Sequence, residues 1–222
     1  MKKPAAIDPL AEQILQQLSR RPEASEIILG GYFALQHYVD YRRTYDIDAW
    51  WRLRASLAAE QAIRQVTATV AAENHLEFRE RRFGETISFE LLTQGKKRFS
   101  FQIAVRSVGL EEPVESAWPP ILIETLSDNI GSKMNALVDR GSPRDFTDVK
   151  HVIDAGLKTV LECWQLWSRK NPTGDSLAAK QNVLIHLAAI EARRPLHAIA
   201  DSTERERARL TREWFRQSFL ER

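Results

Sequence analysis

Gly30-Gly31-Tyr32-Phe33-Ala34-Leu35, followed after a short connection by Arg42-Arg43-Thr44-Tyr45-Asp46-Ile47-Asp48-Ala49-Trp50-Trp51, is the stretch on which the fold turns. The segment before it, Glu26-Ile27-Ile28-Leu29, reads as a short buried strand. Strand, glycine pair and helix form a turn that presents backbone amides at a helix N-terminus, where an anion is favoured and missing side chains permit close approach. Farther on, Asp46 and Asp48 alternate with Ile47 and Ala49, so a strand here points both carboxylates to one face, about 6.5–7 Å apart. That spacing brackets ions held about 3.5–4 Å from each other. Magnesium, or manganese in its place, is the expected ion, because it accepts a few carboxylates together with substrate phosphate oxygens. Aspartate is disfavoured in strands, which weighs against two of them as decoration. Arg42 and Thr44 stand immediately before the strand, within reach of phosphate or metal-bound water. A phosphate turn joined to paired carboxylates points to nucleotide chemistry.

Composition sets bounds around that reading. With 222 residues, 43% of them hydrophobic, the chain can build one sizeable core or two small ones without staples. Lys and Arg number 32 against 30 Asp and Glu, a formal charge of +2 that permits an anionic partner without requiring one. The single cysteine, Cys163, excludes an internal disulfide and a thiolate cluster, and reads as a small buried residue beside Trp164. Met1-Lys2-Lys3-Pro4 leads into no apolar run, and no later stretch is long enough to span a bilayer, so the expectation is a cytoplasmic protein with no membrane partner. Zinc spacing, a Walker loop and a Gly-x-Ser-x-Gly elbow are missing from the sequence.

Outward from the opening stretch, Asp8-Pro9 caps and starts a helix whose stripe is Leu10, Ile14, Leu15 and Leu18. A longer helix with Leu57, Ile63, Val66 and Val70 on one side covers residues 55 to 73. Two period-two runs follow: Ile87, Phe89 and Leu91 alternate with Thr86, Ser88 and Glu90, then Phe99, Phe101, Ile103 and Val105 alternate with Arg98, Ser100, Gln102 and Arg106. They predict a hairpin with one apolar and one polar face. A three-residue loop, Thr93-Gln94-Gly95, pairs Phe89 with Phe99 and Thr86 with Gln102, and sets Glu90 across from Arg98. Ile121-Leu122-Ile123 adds a last strand, and the remainder is helical in pattern, with helices over 126 to 140 and 143 to 155 and three or four more in 157 to 222. The prediction is an α+β protein: a mixed sheet with flanking helices over residues 1–120, then a helical region over 121–222.

The helix over 126 to 140 places Asn129, Lys133 and Arg140 along one face, opposite its apolar stripe; such a row is more often a wet surface than a phosphate site. Ser142-Pro143-Arg144-Asp145 has a local explanation as cap, first turn and capping box. Asp148 lies one turn after Arg144, in position to pair with it. Arg79, Arg81, Arg82, Lys96, Lys97 and Arg98 flank the hairpin, and Arg205, Arg207, Arg209, Arg212 and Arg216 mark the last helix, both clusters diluted by glutamates. A solvated charged face and a nucleic-acid surface each explain them.

The order and spacing of Gly30-Gly31, Arg42-x-Thr44-x-Asp46-Ile47-Asp48 and Lys133-Met134-Asn135-Ala136-Leu137-Val138-Asp139-Arg140-Gly141-Ser142-Pro143-Arg144-Asp145-Phe146-Thr147-Asp148 resemble the nucleotidyltransferase family of AbiEii-type toxins. These are the toxin halves of bacterial abortive-infection and toxin–antitoxin pairs. The resemblance runs over residues 25 to 155. It implies a nucleotidyltransferase-like mixed sheet carrying Asp46 and Asp48 as metal ligands, with a helical C-terminal region closing a cleft. It further implies that Gly30 and Gly31 cradle a triphosphate helped by Arg42 and Thr44, that Lys133 contacts phosphate, and that Arg144, Asp145 and Asp148 belong to a helix contributing to the active site. Magnesium or manganese, an NTP, an RNA acceptor such as tRNA, and a separate antitoxin are the implied cofactor, substrates and partner.

Nucleotidyltransferases commonly add a third carboxylate from a neighbouring strand, and this chain has Gln102 there, which can neither bear the charge nor take a proton. By the predicted register Glu90 is over about 13 Å from that position and does not replace it, which leaves Asp145 or Asp148. The expected function is transfer of NMP from an NTP to RNA. The alternative that Gln102 keeps open is a protein of the same fold that senses nucleotides, or binds protein or RNA, without transfer; the arginine-rich end keeps a helical RNA-binding adaptor in view.

Overall fold

The computed structural model describes residues 3–106 and 108–220, which divide into two compact units, Met1–Asn129 and Ile130–Arg222. The first is built on seven strands: β1 (Ile27–Gly30), β2 (Asp46–Trp51), β3 (Glu77–Phe83), β4 (Thr86–Thr93), β5 (Lys96–Ala104), β6 (Val114–Glu115) and β7 (Leu122–Ile123). Their order is β3-β4-β5-β2-β1-β7-β6. β2 runs parallel to β5 and β1 parallel to β7, while the other neighbours are antiparallel. The sheet is therefore mixed, as the sequence predicts, and β1 and β2, which carry the glycine pair and the aspartates, lie side by side within it.

Its described residues include the helices α1 (Pro9–Leu18), α2 (Gly31–Leu35) and α3 (Leu57–Glu73). Asp8 caps α1 by accepting the Leu10 N–H at 2.9 Å, and Ser56 caps α3, each satisfying an otherwise orphaned donor. Leu10, Ile14, Leu15 and Leu18 of α1 and Ile63, Val66 and Val70 of α3 share one buried core with Phe89, Phe99, Phe101 and Ile103 of the hairpin. These positions are among those read from periodicity, but two others are not buried: Leu57, the first residue of α3, is 69% exposed, and Val105, just past the end of β5, is 43% exposed.

The hairpin register differs from the prediction. Gln94 (φ 51°) and Gly95 (φ 72°) both take the left-handed conformation, making a two-residue turn closed by Thr93 and Lys96. By itself that turn would set apolar residues against polar ones. A bulge restores the parity: pairing jumps from Leu92–Lys97 to Leu91–Phe99, leaving Arg98 as the extra residue, so Phe89 meets Phe101 and Ser88 meets Gln102. Glu90 therefore faces Ser100, not Arg98. The strand β3 was unpredicted because Glu77-Phe78-Arg79-Glu80-Arg81-Arg82-Phe83 lacks an apolar face. It is an outermost strand, and charge on such an edge discourages pairing with other chains.

Helix α4 (Leu126–Asp139) begins in the first unit and continues into the second, which adds α5 (Pro143–Asp154), α6 (Val160–Lys170), α7 (Ser176–Arg193) and α8 (Ser202–Trp214). The breaks fall at Asn171-Pro172-Thr173-Gly174, where proline and glycine interrupt the helical pattern, and at Pro195. The second core is aromatic: Phe146 meets Phe215 at 4.7 Å between ring centroids, and Trp164 meets Phe219 at 5.3 Å. Cys163 is fully buried, and burial pushes its thiol up to about 12, which makes it an inert packing residue at neutral pH. No described helix is long and apolar enough to cross a membrane.

Candidate active site

Along β2, Ile47 and Ala49 are buried while Asp46 and Asp48 are half-buried on the opposite face. Antiparallel pairing sets Gly30 directly beside Asp48. At Gly31, whose φ of 58° is left-handed, a Cβ would stand 2.7 Å from both Cβ and Cγ of Asp48 and nearer still to Oδ2. A Cβ on Gly30 would come within 3.0 Å of Glu124 Oε2 and of the Trp50 ring. Both positions thus need glycine for lack of space, and Gly31 also for its backbone conformation. Helix α2 is five residues long and ends at Leu35, although the apolar pattern continues to Tyr38. The turn therefore offers close approach to the backbone more than a strong helix dipole.

The loop before β2 is pinned in place. Tyr32 Oη accepts the Arg42 N–H at 3.0 Å and the Tyr41 N–H at 3.3 Å, and the Arg42 guanidinium lies 3.5 Å over the Tyr32 ring. Thr44, nearly buried, donates its hydroxyl to Asp46 Oδ1 in a short hydrogen bond. This is the contact that orients Asp46. Removing a hydrogen bond that orients a metal ligand typically lowers metal affinity or activity about 10–100-fold. Thr44→Val is accordingly expected to raise the magnesium concentration for half-maximal activity about tenfold, with Thr44→Ser retaining wild-type response; a magnesium titration of initial rates checks this.

Parallel pairing places Gln102 beside Asp48 and Ser100 beside Asp46. Gln102 therefore stands in the adjoining strand at the position where the sequence lacks a carboxylate. Glu90 is nearer to Gln102 than predicted, two residues and not four from that residue's strand partner, Ser88; it lies in the row Asp46–Ser100–Glu90, two strand spacings or about 10 Å from Asp46 between Cα atoms. Its carboxylate is buried and paired with Arg79 at 2.7 Å, so it does not face Asp46 as an open ligand.

Two residues support the turn, one expected on a wet helix face and one given no role by the sequence pattern. Asn129, fully buried and not on a wet face, donates through Nδ2 to the Gly31 carbonyl at 2.8 Å and to Glu124 Oε2 at 3.0 Å. Glu124 is also fully buried, and its backbone N–H donates to the Leu29 carbonyl at 2.9 Å. A glutamate closing the apolar run Ile121-Leu122-Ile123 was the available signal, since a buried carboxylate needs partners.

In the second unit, Lys133 is also buried, and its Nζ donates to Asp148 Oδ2 at 2.7 Å. Asp148 is thus paired with Lys133, while Arg144 is exposed. Asp145 accepts from Ser142 N–H and hydroxyl at 2.9 and 2.7 Å and from both Nε and a terminal nitrogen of Arg140 at 2.9 and 2.8 Å. Burial raises its pKa, but the Arg140 and Ser142 hydrogen bonds outweigh that and hold the carboxyl below its ordinary value. Such a carboxylate is a poor proton acceptor and a good helix cap.

Much of the basic character is used internally. Arg82 pairs with Glu60 and Glu80, Arg209 with Glu206 and Glu213, and Arg212 donates to the Arg194 carbonyl. Among the described residues no three His, Cys, Asp or Glu side chains gather closely enough to hold a metal. Two aspartates on one strand face still fit magnesium, which keeps several waters and completes its shell with substrate phosphate.

A mixed sheet that sets paired aspartates against a glycine turn defines a nucleotidyltransferase architecture. A sequence model of the family described as nucleotidyl transferase AbiEii toxin, type IV TA system, matches residues 13–219. The chain belongs to that family and is a nucleotidyltransferase. Among solved structures, a candidate nucleotidyltransferase from H. pylori aligns with 14% identity over 96% of this chain and 94% of that chain, with a TM-score of 0.46. Comparison with curated proteins gives no match.

Proposed function

We propose that the protein transfers NMP from an NTP to an RNA acceptor, using magnesium or manganese held by Asp46 and Asp48. The observation that carries this reading is the half-buried pair on one face of β2, with Gly31 packed directly against Asp48. When bound, the ion would neutralise charge developing on the α-phosphate and on the attacking and leaving oxygens. Thr44 holds Asp46 in orientation, and the triphosphate would meet the backbone of the Gly30-Gly31 turn beside Asp48. Arg42, stacked on Tyr32, adds positive charge beside the strand.

From the family resemblance we further propose that Lys133 meets phosphate, with Asp148, buried and ion-paired to it at 2.7 Å, as the residue that holds the lysine in orientation. Asp145 holds the start of α5, and Arg144 is an exposed charge for phosphate. Asp148→Asn is expected to lower activity about 10–100-fold by releasing Lys133 from its orientation. Asp145→Asn weakens a cap and should lower the melting temperature by about 2–4 °C for each kcal/mol lost. Steady-state rates beside thermal melts separate the two. We further propose a cytoplasmic toxin restrained by a cognate antitoxin, a partner supported by the family description.

Incubation with total RNA, magnesium and each labelled NTP in turn tests the reading. Label in discrete RNA bands is expected, and no label in RNA with any NTP would overturn it. Gln102 beside Asp48 favours a second reading, nucleotide binding without transfer; calorimetry showing tight NTP binding, with the NTP chemically unchanged over hours beside RNA, would establish that instead.

A further inference from the structure

A cavity of about 420 Å³ lies in the first unit at the N-terminal end of β2, lined by Asp8, Arg43, Thr44, Tyr45 and Arg98 among others. Its volume falls within the roughly 300–1,000 Å³ of small-ligand sites. Arg43 and Arg98 outweigh Asp8 in charge, and Asp8, 3.4 Å from Arg98, also caps α1. Tyr45 is 51% exposed, and the Arg98 guanidinium lies 4.9 Å from its ring centroid. An aromatic ring beside arginines is the combination that binds single-stranded nucleic acid, the ring stacking a base and the cations meeting phosphate.

Arg98 is also the extra residue of the β5 bulge. A bulge re-aims the side chain it displaces, and here that side chain reaches Asp8 and Tyr45. Thr44 links the cavity to the reaction centre, because it lines the cavity and donates to Asp46. Along β2 the order is therefore the glycine turn beside Asp48, then Asp46, then the cavity. In-line displacement brings the attacking oxygen from the side opposite the leaving pyrophosphate. With the triphosphate at the glycine turn, the cavity is on the acceptor side.

We infer that this cavity seats the reacting, unpaired nucleotide of the RNA acceptor, with its base on Tyr45 and its phosphate on Arg43 and Arg98. The inference rests on the transfer reaction proposed above and gives it a substrate class, a single-stranded end. The acceptor hydroxyl oxygen bonds to the α-phosphorus, the bond from that phosphorus to the bridging oxygen breaks, pyrophosphate leaves with the electron pair, and the hydroxyl proton passes to a base.

The test uses the full chain with a fluorescent single-stranded RNA of about twelve nucleotides, measuring binding by anisotropy beside KM values for acceptor and NTP. Arg43→Ala and Tyr45→Ala, both at exposed positions, are expected to weaken RNA binding and raise the acceptor KM about tenfold each, with the NTP KM shifting less than about twofold. Arg207→Ala, on exposed α8, should change neither. Unchanged RNA affinity in both cavity variants would overturn the inference, as would a rise confined to the NTP KM, which would mean that the cavity holds donor phosphates. If wild type binds RNA through Arg43 and Tyr45 yet transfers nothing, the cavity assignment stands and the transfer reading falls; if it binds no RNA, the cavity assignment falls.

Discussion

Asp48→Asn is expected to lower nucleotidyl transfer about a thousandfold or more at saturating magnesium, a barrier change of about 4 kcal/mol. The amide has nearly the shape of the carboxylate, so packing against Gly31 and Gly30 is retained. What is lost is the negative charge that binds the ion, and with it the stabilisation of charge on the transferring phosphate. Asp48 is half-exposed and lies on the face opposite the buried Ile47 and Ala49, so the substitution leaves the core face of the sheet untouched. The melting temperature should therefore stay close to wild type. Initial rates measured beside thermal melts check this: a variant that keeps more than about a tenth of wild-type activity would remove Asp48 from the metal site.

Gly31→Ala is expected to damage both fold and activity. Alanine at φ 58° costs about 1–2 kcal/mol for the left-handed backbone, and its methyl would sit 2.7 Å from Asp48 Cβ and Cγ. Relieving that overlap costs about 1–3 kcal/mol more, so a loss of about 3 kcal/mol and a melting temperature lower by about 6–12 °C follow. Asp48 has to move aside, and a shift of about 1 Å in a catalytic group costs on the order of a hundredfold in rate. Gly84 provides the control, since its φ is 56° but a Cβ there meets nothing within 4 Å. Gly84→Ala should show the backbone cost alone, about 1–2 kcal/mol, with rates per folded molecule unchanged. Equal effects of the two substitutions on activity would mean that the Gly31–Asp48 contact has no part in the reaction.

What the sequence made legible was local. The alternation of Asp46 and Asp48 with Ile47 and Ala49 sets the strand face by itself, and Asp8-Pro9 and Ser142-Pro143-Arg144-Asp145 mark helix starts through caps that act within one turn. What was not legible depends on distant partners. The hairpin register hangs on a bulge at Arg98, which leaves the alternation of apolar residues intact on both sides and so gives no sign in the pattern. Asn129 reads as a surface residue until its partner is known, and that partner, the Gly31 carbonyl, is 98 positions away. Likewise Asp148 has Arg144 at helical spacing, but tertiary packing gives it Lys133. The charged edge strand β3 has no apolar face to announce it, because an outermost strand needs to bury only one side.

The site that results is sparser in carboxylates than its architecture leads one to expect. Gln102 occupies the strand position beside Asp48, and Glu90, in the row of Asp46, is neutralised by Arg79. On the proposed role of Asp46 and Asp48, substrate phosphate would complete the ion's shell, and metal and NTP should bind cooperatively.

Transfer of label from NTPs carrying phosphorus-32 at either the α or the γ position is the most direct test of nucleotidyl transfer at Asp46 and Asp48. With magnesium and the RNA fraction that accepts label, the α-label should enter RNA, the γ-label should be released in pyrophosphate, and Asp46→Asn should abolish incorporation. Entry of the γ-label into RNA, or equal incorporation by wild type and Asp46→Asn, would contradict it.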